Sequence, residues 1–336
     1  MHKHLEQVGK LLVPVIAYGD AAGLPAENSS AAEIAERFGR IDKLLPPSNR
    51  FHYKDKPAGT WSDDTQLSLA VAESLIEAKG FDFQNQAEHL IQAFHQTPLI
   101  NHQGTQMPLG WGGNTTNSVK RLLDGVPPTE SGEPHATTNG VLMKLAPLVF
   151  WHYATQTNDQ QRYAEIDVLT QLTHNSDEAV LCSRVHADVL MWCFDFSNNG
   201  STSLRRAFVD YVLARVMFHE QALGMQPKLS PALQYLAEVD PITPEFILQN
   251  TDGKGFDAVQ TLAMTYGVFL VGHNFASRVY TAVNLGGDAD SIASVAGTLS
   301  LFLDKTARLP DDFHLLQDSA LLKDVSVRLH RAATDG

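Results

Sequence analysis

Gly286-Gly287-Asp288-Ala289-Asp290-Ser291 is the stretch whose reading decides the fold. Behind it, Ile292, Val295, Ala296, Leu299, Phe302 and Leu303 recur at helical spacing, so two carboxylates and a hydroxyl stand where a helix begins. Far upstream, Ser62-Asp63-Asp64-Thr65 repeats the arrangement, with Leu67, Ala70, Val71, Leu75 and Ala78 as the apolar stripe behind it. Asp and Ser are ordinary N-cap residues, and either cluster alone reads equally well as a cap. Two clusters of one type carry more weight, the second following a glycine pair that lets backbone turn tightly or approach a ligand. The helix dipole stabilises negative charge at both places. If the fold brings the two helix starts together, four carboxylates meet, and without cations between them they would raise one another's pKa values. Oxygen donors of this kind suit hard divalent cations, so a metal centre is the leading expectation.

Outward from these motifs the helical period continues. It predicts helices over about 5–18, 64–79, 84–96, 115–124, 139–153, 160–173, 176–195, 203–219, 256–271, 274–284, 290–304 and 319–333. Period-two alternation and βαβ units are absent, which predicts an all-α protein. Pro/Gly-rich connectors near 45–60, 98–113, 125–138 and 224–231 lack the length and low complexity of interdomain linkers. Residues 1–336 are therefore expected to form one compact helical domain with both acid-bearing loops facing one cleft.

Composition narrows the function. The 336 residues include 25 Lys and Arg against 38 Asp and Glu, a formal charge of −13, which argues against phosphate-backbone binding to nucleic acid. No run of about 18 uncharged apolar residues predicts a membrane span. Glu6 and Lys10 interrupt the N-terminal apolar stretch, so no signal peptide is expected. Cys182 and Cys193 share a predicted helix about three turns apart, too far to bridge, which suits free thiols and a cytoplasmic location.

Other segments offer weaker chemistry. Gly19 and Gly23 permit close packing or a helix C-cap, Pro25 stops continuation, and Glu27 follows in a loop where it would serve as a ligand, a general base or simply a solvated acid. Asp20 reads as an acid that bonds backbone groups near the helix end. Gly110-Trp111-Gly112-Gly113-Asn114-Thr115-Thr116 is a glycine-rich loop before a helix, without the Gly-Lys-Ser/Thr of a P-loop. Fourteen histidines show no zinc spacing, and only His174, between two predicted helices, stands out. Gly-x-Ser-x-Gly does not occur.

In this order, Gly19-Asp20-Ala21-Ala22-Gly23-Leu24-Pro25-Ala26-Glu27, Gly59-Thr60-Trp61-Ser62-Asp63-Asp64-Thr65, Thr138-Asn139-Gly140-Val141-Leu142-Met143-Lys144, Thr173-His174 and Asn284-Leu285-Gly286-Gly287-Asp288-Ala289-Asp290-Ser291 resemble the ADP-ribosylglycohydrolase family. The resemblance implies an all-α fold with two divalent cations, Mg²⁺ or Mn²⁺, at the base of a cleft. It makes Ser62, Asp63, Asp64, Asp288, Asp290 and Ser291 the metal ligands. Glu27 or Asp64 becomes the general base, Glu27 matching a mobile glutamate of some members. Gly112, Gly113, Asn114, Thr115, Asn139, Gly140 and His174 fall where members contact ADP-ribose. Four positions depart from the pattern: Ser62, Ser291 and Ala289 stand where threonine is usual, and Lys144 replaces an arginine.

The implied reaction is hydrolysis at the ribose anomeric carbon, releasing ADP-ribose from a modified protein or small-molecule conjugate, with ADP-ribosyl-arginine the expected substrate and the enzyme a monomer. Two other readings compete. A non-enzymatic, ADP-ribose-binding or structural member would keep the fold, but the retained acids count against it. An immunity protein acting against an ADP-ribosylating toxin by occlusion would need an added arm, and the residues before position 19 read as helix.

Overall fold

The computed structural model describes residues 2–47, 53, 55–96, 98–100, 106–108, 110–196, 203–304 and 308–335. Within them the helical period becomes sixteen α-helices. The first half holds α1 (His2–Gly23), α2 (Ala31–Phe38), α3 (Asp63–Ala78), α4 (Phe83–Gln96), α5 (Gly113–Leu123), α6 (Pro128–Ser131), α7 (Ala146–Ala154) and α8 (Asp159–Gln171). The second holds α9 (Asp177–Asp195), α10 (Leu204–Ala222), α11 (Leu229–Leu233), α12 (Pro244–Asn250), α13 (Ala258–Val271), α14 (Phe275–Leu285), α15 (Ala289–Leu303) and α16 (Ser319–Thr334). The fold is all-α, one compact domain.

Helix α15 is apolar or small on every face, and a helix of that kind belongs inside. Residues Ala289 through Phe302 are all buried, surrounded by α1, α9, α13 and α14, while α16 closes over α1 and α3. The α1–α15 contact corrects one expectation. The first helix does not end near position 18 but runs to Gly23, and its two glycines form a contact surface. A Cβ on Gly19 would lie 2.5 Å from Ser294 Cα, and one on Gly23 would lie 2.3 Å from the Ala289 carbonyl oxygen. The two backbones touch.

The expected helix over 139–153 is broken. Asn139–Val141 forms a single 3₁₀ turn, and α7 starts at Ala146 with Pro147 in its first turn. Proline lacks an N–H, and its ring clashes with the carbonyl four residues back, so the helix can begin there but not pass through. Helix α2 escaped the period because only Ile34 is buried; its signal is the Ser30–Glu33 capping box.

Three short strand pairs also went unread, since two or three residues show no alternation. Strands β1 (Ser29–Ser30) and β6 (Gly286–Gly287) pair antiparallel, as do β2 (Pro98–Ile100) and β3 (Gln106–Pro108). Strands β4 (Glu133–Pro134) and β5 (His174–Asn175) pair parallel. The first pair ties the chain just past Glu27 to the second acid motif. Cys182 and Cys193 are buried, unbridged thiols of α9. No described helix is long and apolar enough to cross a membrane.

Candidate metal centre and cavity

Neither acid motif caps its own helix. Ser62 occupies the N-cap position of α3 but makes no side-chain cap bond. Asp20, wholly buried on α1, does that work from outside. It accepts from the backbone N–H of Ser62 at 2.9 Å, from that of Thr65 at 3.1 Å, and from the Thr65 hydroxyl at 2.6 Å. Ser62 Oγ is thereby released, and it lies buried with no hydrogen-bond partner among the described residues.

Asp288 stands likewise at the N-cap of α15 without a cap bond. Its Oδ2 accepts from Asn139 Nδ2 at 2.5 Å, and its own N–H donates to the Lys254 carbonyl at 2.6 Å. Asn139 donates from its backbone to Phe256 O at 3.1 Å and from its side chain to Gly255 O at 3.1 Å. The 254–256 loop thus stitches Asn139 to the second motif. Gly286 and Gly287 make this possible at φ of 80° and 70°, where side chains are disfavoured, and a Cβ on Gly287 would stand 2.3 Å from Lys254 O.

The two helix starts meet. Ser291 Oγ donates to Asp64 Oδ2 at 3.2 Å across 227 positions of sequence. Carboxylate oxygens of Glu27, Asp288 and Asp290 lie within 4.8 Å of one another, and all three residues are buried. Burial, then the charges of Asp20 and Asp290, holds the Asp64 carboxyl well above the ordinary range. Asp288 is raised the same way, by burial first and Asp290 second. Burial, with Asp290 behind it, pushes Asp20 up to about 7 against the hydrogen bonds from Thr65 and Ser62. Each raised value reflects the cost of ionising these crowded, buried acids together.

A cavity of about 250 Å³ opens on these acids, lined by Glu27, Asp63, Asp64, Asp288, Asp290 and Ser291. Gly110, Gly112, Gly113, Asn114 and Thr115, at the start of α5, line it too, as do Thr138, Asn139, Gly140, Met143 and Phe256. Of the residues singled out in the sequence, Ser62 and His174 are not on this lining. Ser62 is buried at the N-cap of α3, adjoining Asp63 and Asp64 in the chain. His174 is fully buried behind Gly140: a Cβ on Gly140 would lie 3.1 Å from the His174 Cε1.

Sequence reasoning passed over Tyr53 and Phe256, gave Thr138 and Met143 no role of their own within the quoted 138–144 stretch, and read Asp20 as bonding backbone near its own helix end rather than at α3. Tyr53 is fully buried with an unpartnered hydroxyl, and a Cβ on Gly110 would stand 2.5 Å from that oxygen and 3.1 Å from Asp63 Oδ1. Burial, then Asp63, pushes the phenol upward. Nothing in the spacing around position 53 marks it. Thr138 at least adjoins Asn139, within a stretch already suspect.

The model of the ADP-ribosylglycohydrolase family matches residues 16–335. An uncharacterized protein of Archaeoglobus fulgidus is 30% identical over 287 residues, covering 84% of this chain and 83% of that one. The ADP-ribosylarginine hydrolase Tri1 of Pseudomonas putida is 25% identical over 292 residues, 83% of this chain and 70% of that one. A solved structure titled "ADP-ribosylglycohydrolase-related protein complex" superposes with a TM-score of 0.72 at 23% identity, over 98% of this chain and 99% of that one, and shares its fold.

Proposed function

The chain belongs to the ADP-ribosylglycohydrolase family, and from that premise we propose that it is a metal-dependent hydrolase that frees ADP-ribose from modified acceptors, ADP-ribosyl-arginine among them, by delivering water to the anomeric carbon of the ribose. Family membership carries the coarse activity, hydrolysis of ADP-ribose conjugates; cation and acceptor are our reading.

One observation carries it: buried acids from two helix starts converge on a cavity and include oxygen atoms with nothing to bind. Among the described residues, Ser62 Oγ and Asp64 Oδ1 are buried without hydrogen-bond partners, whereas buried polar atoms ordinarily have one, and a coordinated cation would supply it. Carboxylates and hydroxyls, with no soft donor among them, fit Mg²⁺ or Mn²⁺. Ser62, Asp63, Asp64, Asp288, Asp290 and Ser291 would hold two such ions, whose positive charges balance the four ionised aspartates. When bound, divalent cations supply Lewis-acid polarisation and lower the pKa of coordinated water.

The remaining work falls to the chain. Glu27 lines the cavity beside Asp288 and Asp290, at the end of a turn anchored by the Asn28 N–H on the Gly287 carbonyl at 2.8 Å, and it or Asp64 serves as general base. Gly113, Asn114 and Thr115 line the cavity in the first turn of α5, whose backbone N–H groups lack helical partners and suit an anionic diphosphate. Asn139 holds Asp288 in place rather than waiting free for the sugar. The acidic lining favours a departing guanidinium, and the Pseudomonas relative is named for that acceptor.

The test is ADP-ribose release from arginine-, serine- and acetyl-linked substrates, each with and without EDTA. Release from the arginine linkage, lost on chelation and restored by Mn²⁺ or Mg²⁺, is expected. No release from any linkage in the presence of either cation would sink the reading.

A further inference from the structure

Behind the cavity wall runs a chain of hydrogen bonds that the proposed chemistry leaves unexplained. Lys144 is 2% exposed, and its Nζ donates to Thr173 Oγ1 at 2.7 Å. Thr173 Oγ1 lies 2.9 Å from His174 Nδ1, His174 Nε2 lies 2.8 Å from Thr138 Oγ1, and Asn114 Nδ2 donates to that same Thr138 oxygen at 2.9 Å. Lys144, Thr173 and His174 are buried; Thr138 and Asn114 line the cavity.

Counting protons fixes the direction of every link. Burial lowers the Lys144 amine to about 7, yet charged or neutral it keeps N–H protons and donates to Thr173 Oγ1, which must then place its own proton elsewhere. Among the described residues the acceptor at hand is His174 Nδ1. The ring, kept neutral by burial and by the Lys144 charge beside it, then carries its proton on Nε2 and donates to Thr138 Oγ1. Asn114 fills the other lone pair of that oxygen. Thr138 has accepted twice, and its single proton is left to face the cavity.

We propose that Lys144 is a positioning residue which, through Thr173 and His174, fixes the Thr138 hydroxyl as a hydrogen-bond donor to a diphosphate oxygen of the bound ADP-ribose unit. The inference rests on the reading of the cavity as an ADP-ribose site. A phosphate oxygen is the fitting partner because it only accepts, whereas a sugar hydroxyl would also need an acceptor. Asn114 and the first backbone N–H groups of α5 border the same place.

The experiment uses the full chain labelled with ¹⁵N-histidine, and the probes are ADP-ribose and adenosine. His174 is expected as the Nε2–H tautomer; the Nδ1–H form would overturn the relay whatever the enzyme does. Thr138→Val should weaken ADP-ribose binding about tenfold, the size of one hydrogen bond to a charged group, while Thr138→Ser keeps the wild-type affinity. Lys144→Met and Thr173→Val, which break one link from either side, should each let the ring populate both tautomers and weaken ADP-ribose several-fold. Combined with Thr138→Val, Lys144→Met should add nothing further. Adenosine affinity should stay constant throughout; an equal loss for adenosine, or additive losses in the double variant, would overturn the proposal. Wild-type protein that binds no ADP-ribose would sink the functional reading instead, a failure the tautomer measurement keeps distinct.

Discussion

Asp20 shows how one side chain can carry both fold and site. Its two oxygens accept the N–H groups that α3 cannot satisfy from its own N-cap, leaving Ser62 Oγ free for another partner. Asp20→Asn is nearly isosteric but brings an NH₂ against backbone N–H donors. It should destabilise the protein by about 1–3 kcal/mol in urea unfolding and weaken Mn²⁺ binding in calorimetry. Asp290→Asn should do the opposite to stability without metal. The Asp290 charge raises Asp20, Asp64 and Asp288 together, so its loss relieves repulsion in the buried cluster. In EDTA the variant should melt above wild type, while Mn²⁺ no longer raises its melting temperature and ADP-ribose release is lost. A lower melting temperature in EDTA would show that the acids are not crowded as described. At this scale the sequence is legible where chemistry repeats locally, as in Asp63-Asp64 and Asp288…Asp290. It is mute where a partner lies far off in the chain, as with Asp20 capping α3, or where one buried hydroxyl matters, as with Tyr53.

Elements were legible to the extent that they bury one face over several turns. Helices α3, α9, α13 and α15 announce themselves by apolar period, whereas α2, with Ile34 its one buried residue, does not. Helix α1 was read too short because glycine has two meanings in a helical stretch: an end, or a place for another backbone. Here it is the second. Gly23→Ala should therefore do more than add a methyl group. With the Ala289 carbonyl 2.3 Å from the new Cβ, α1 and α15 must part. Unfolding should show a loss of about 1–3 kcal/mol, the usual size for overpacking. Because Glu27 follows α1 and Asp288 and Asp290 open α15, Mn²⁺ affinity should fall as well. A stability loss with unchanged Mn²⁺ affinity would mean that this contact does not set the spacing of the site.

For the whole molecule, the acid cluster ties stability to pH through a definite sign. Asp20 has a folded value of about 7 against its ordinary 3.8, so the folded protein holds its proton more tightly than the unfolded chain does. The stabilisation from that proton is complete below the ordinary carboxylate range and is lost as pH rises through the folded value. Asp64 and Asp288 shift the same way. In EDTA the melting temperature should fall as pH rises from about 4 to about 7, and saturating Mn²⁺ should flatten that slope. A rising slope in EDTA would contradict the electrostatics. The sequence indicated an all-α chain with two acid motifs; it could not indicate which helices enclose which, because that depends on contacts between its two ends. The glycine contact between α1 and α15 has a further consequence for biosynthesis. As the nascent polypeptide leaves the ribosome, its first helix emerges with a sticky, grooved side whose mate has yet to be translated. Until α15 arrives, that side lacks its native partner, so assembly around the central helix comes late and sequence changes there should reduce yield in cells as well as weaken the folded protein.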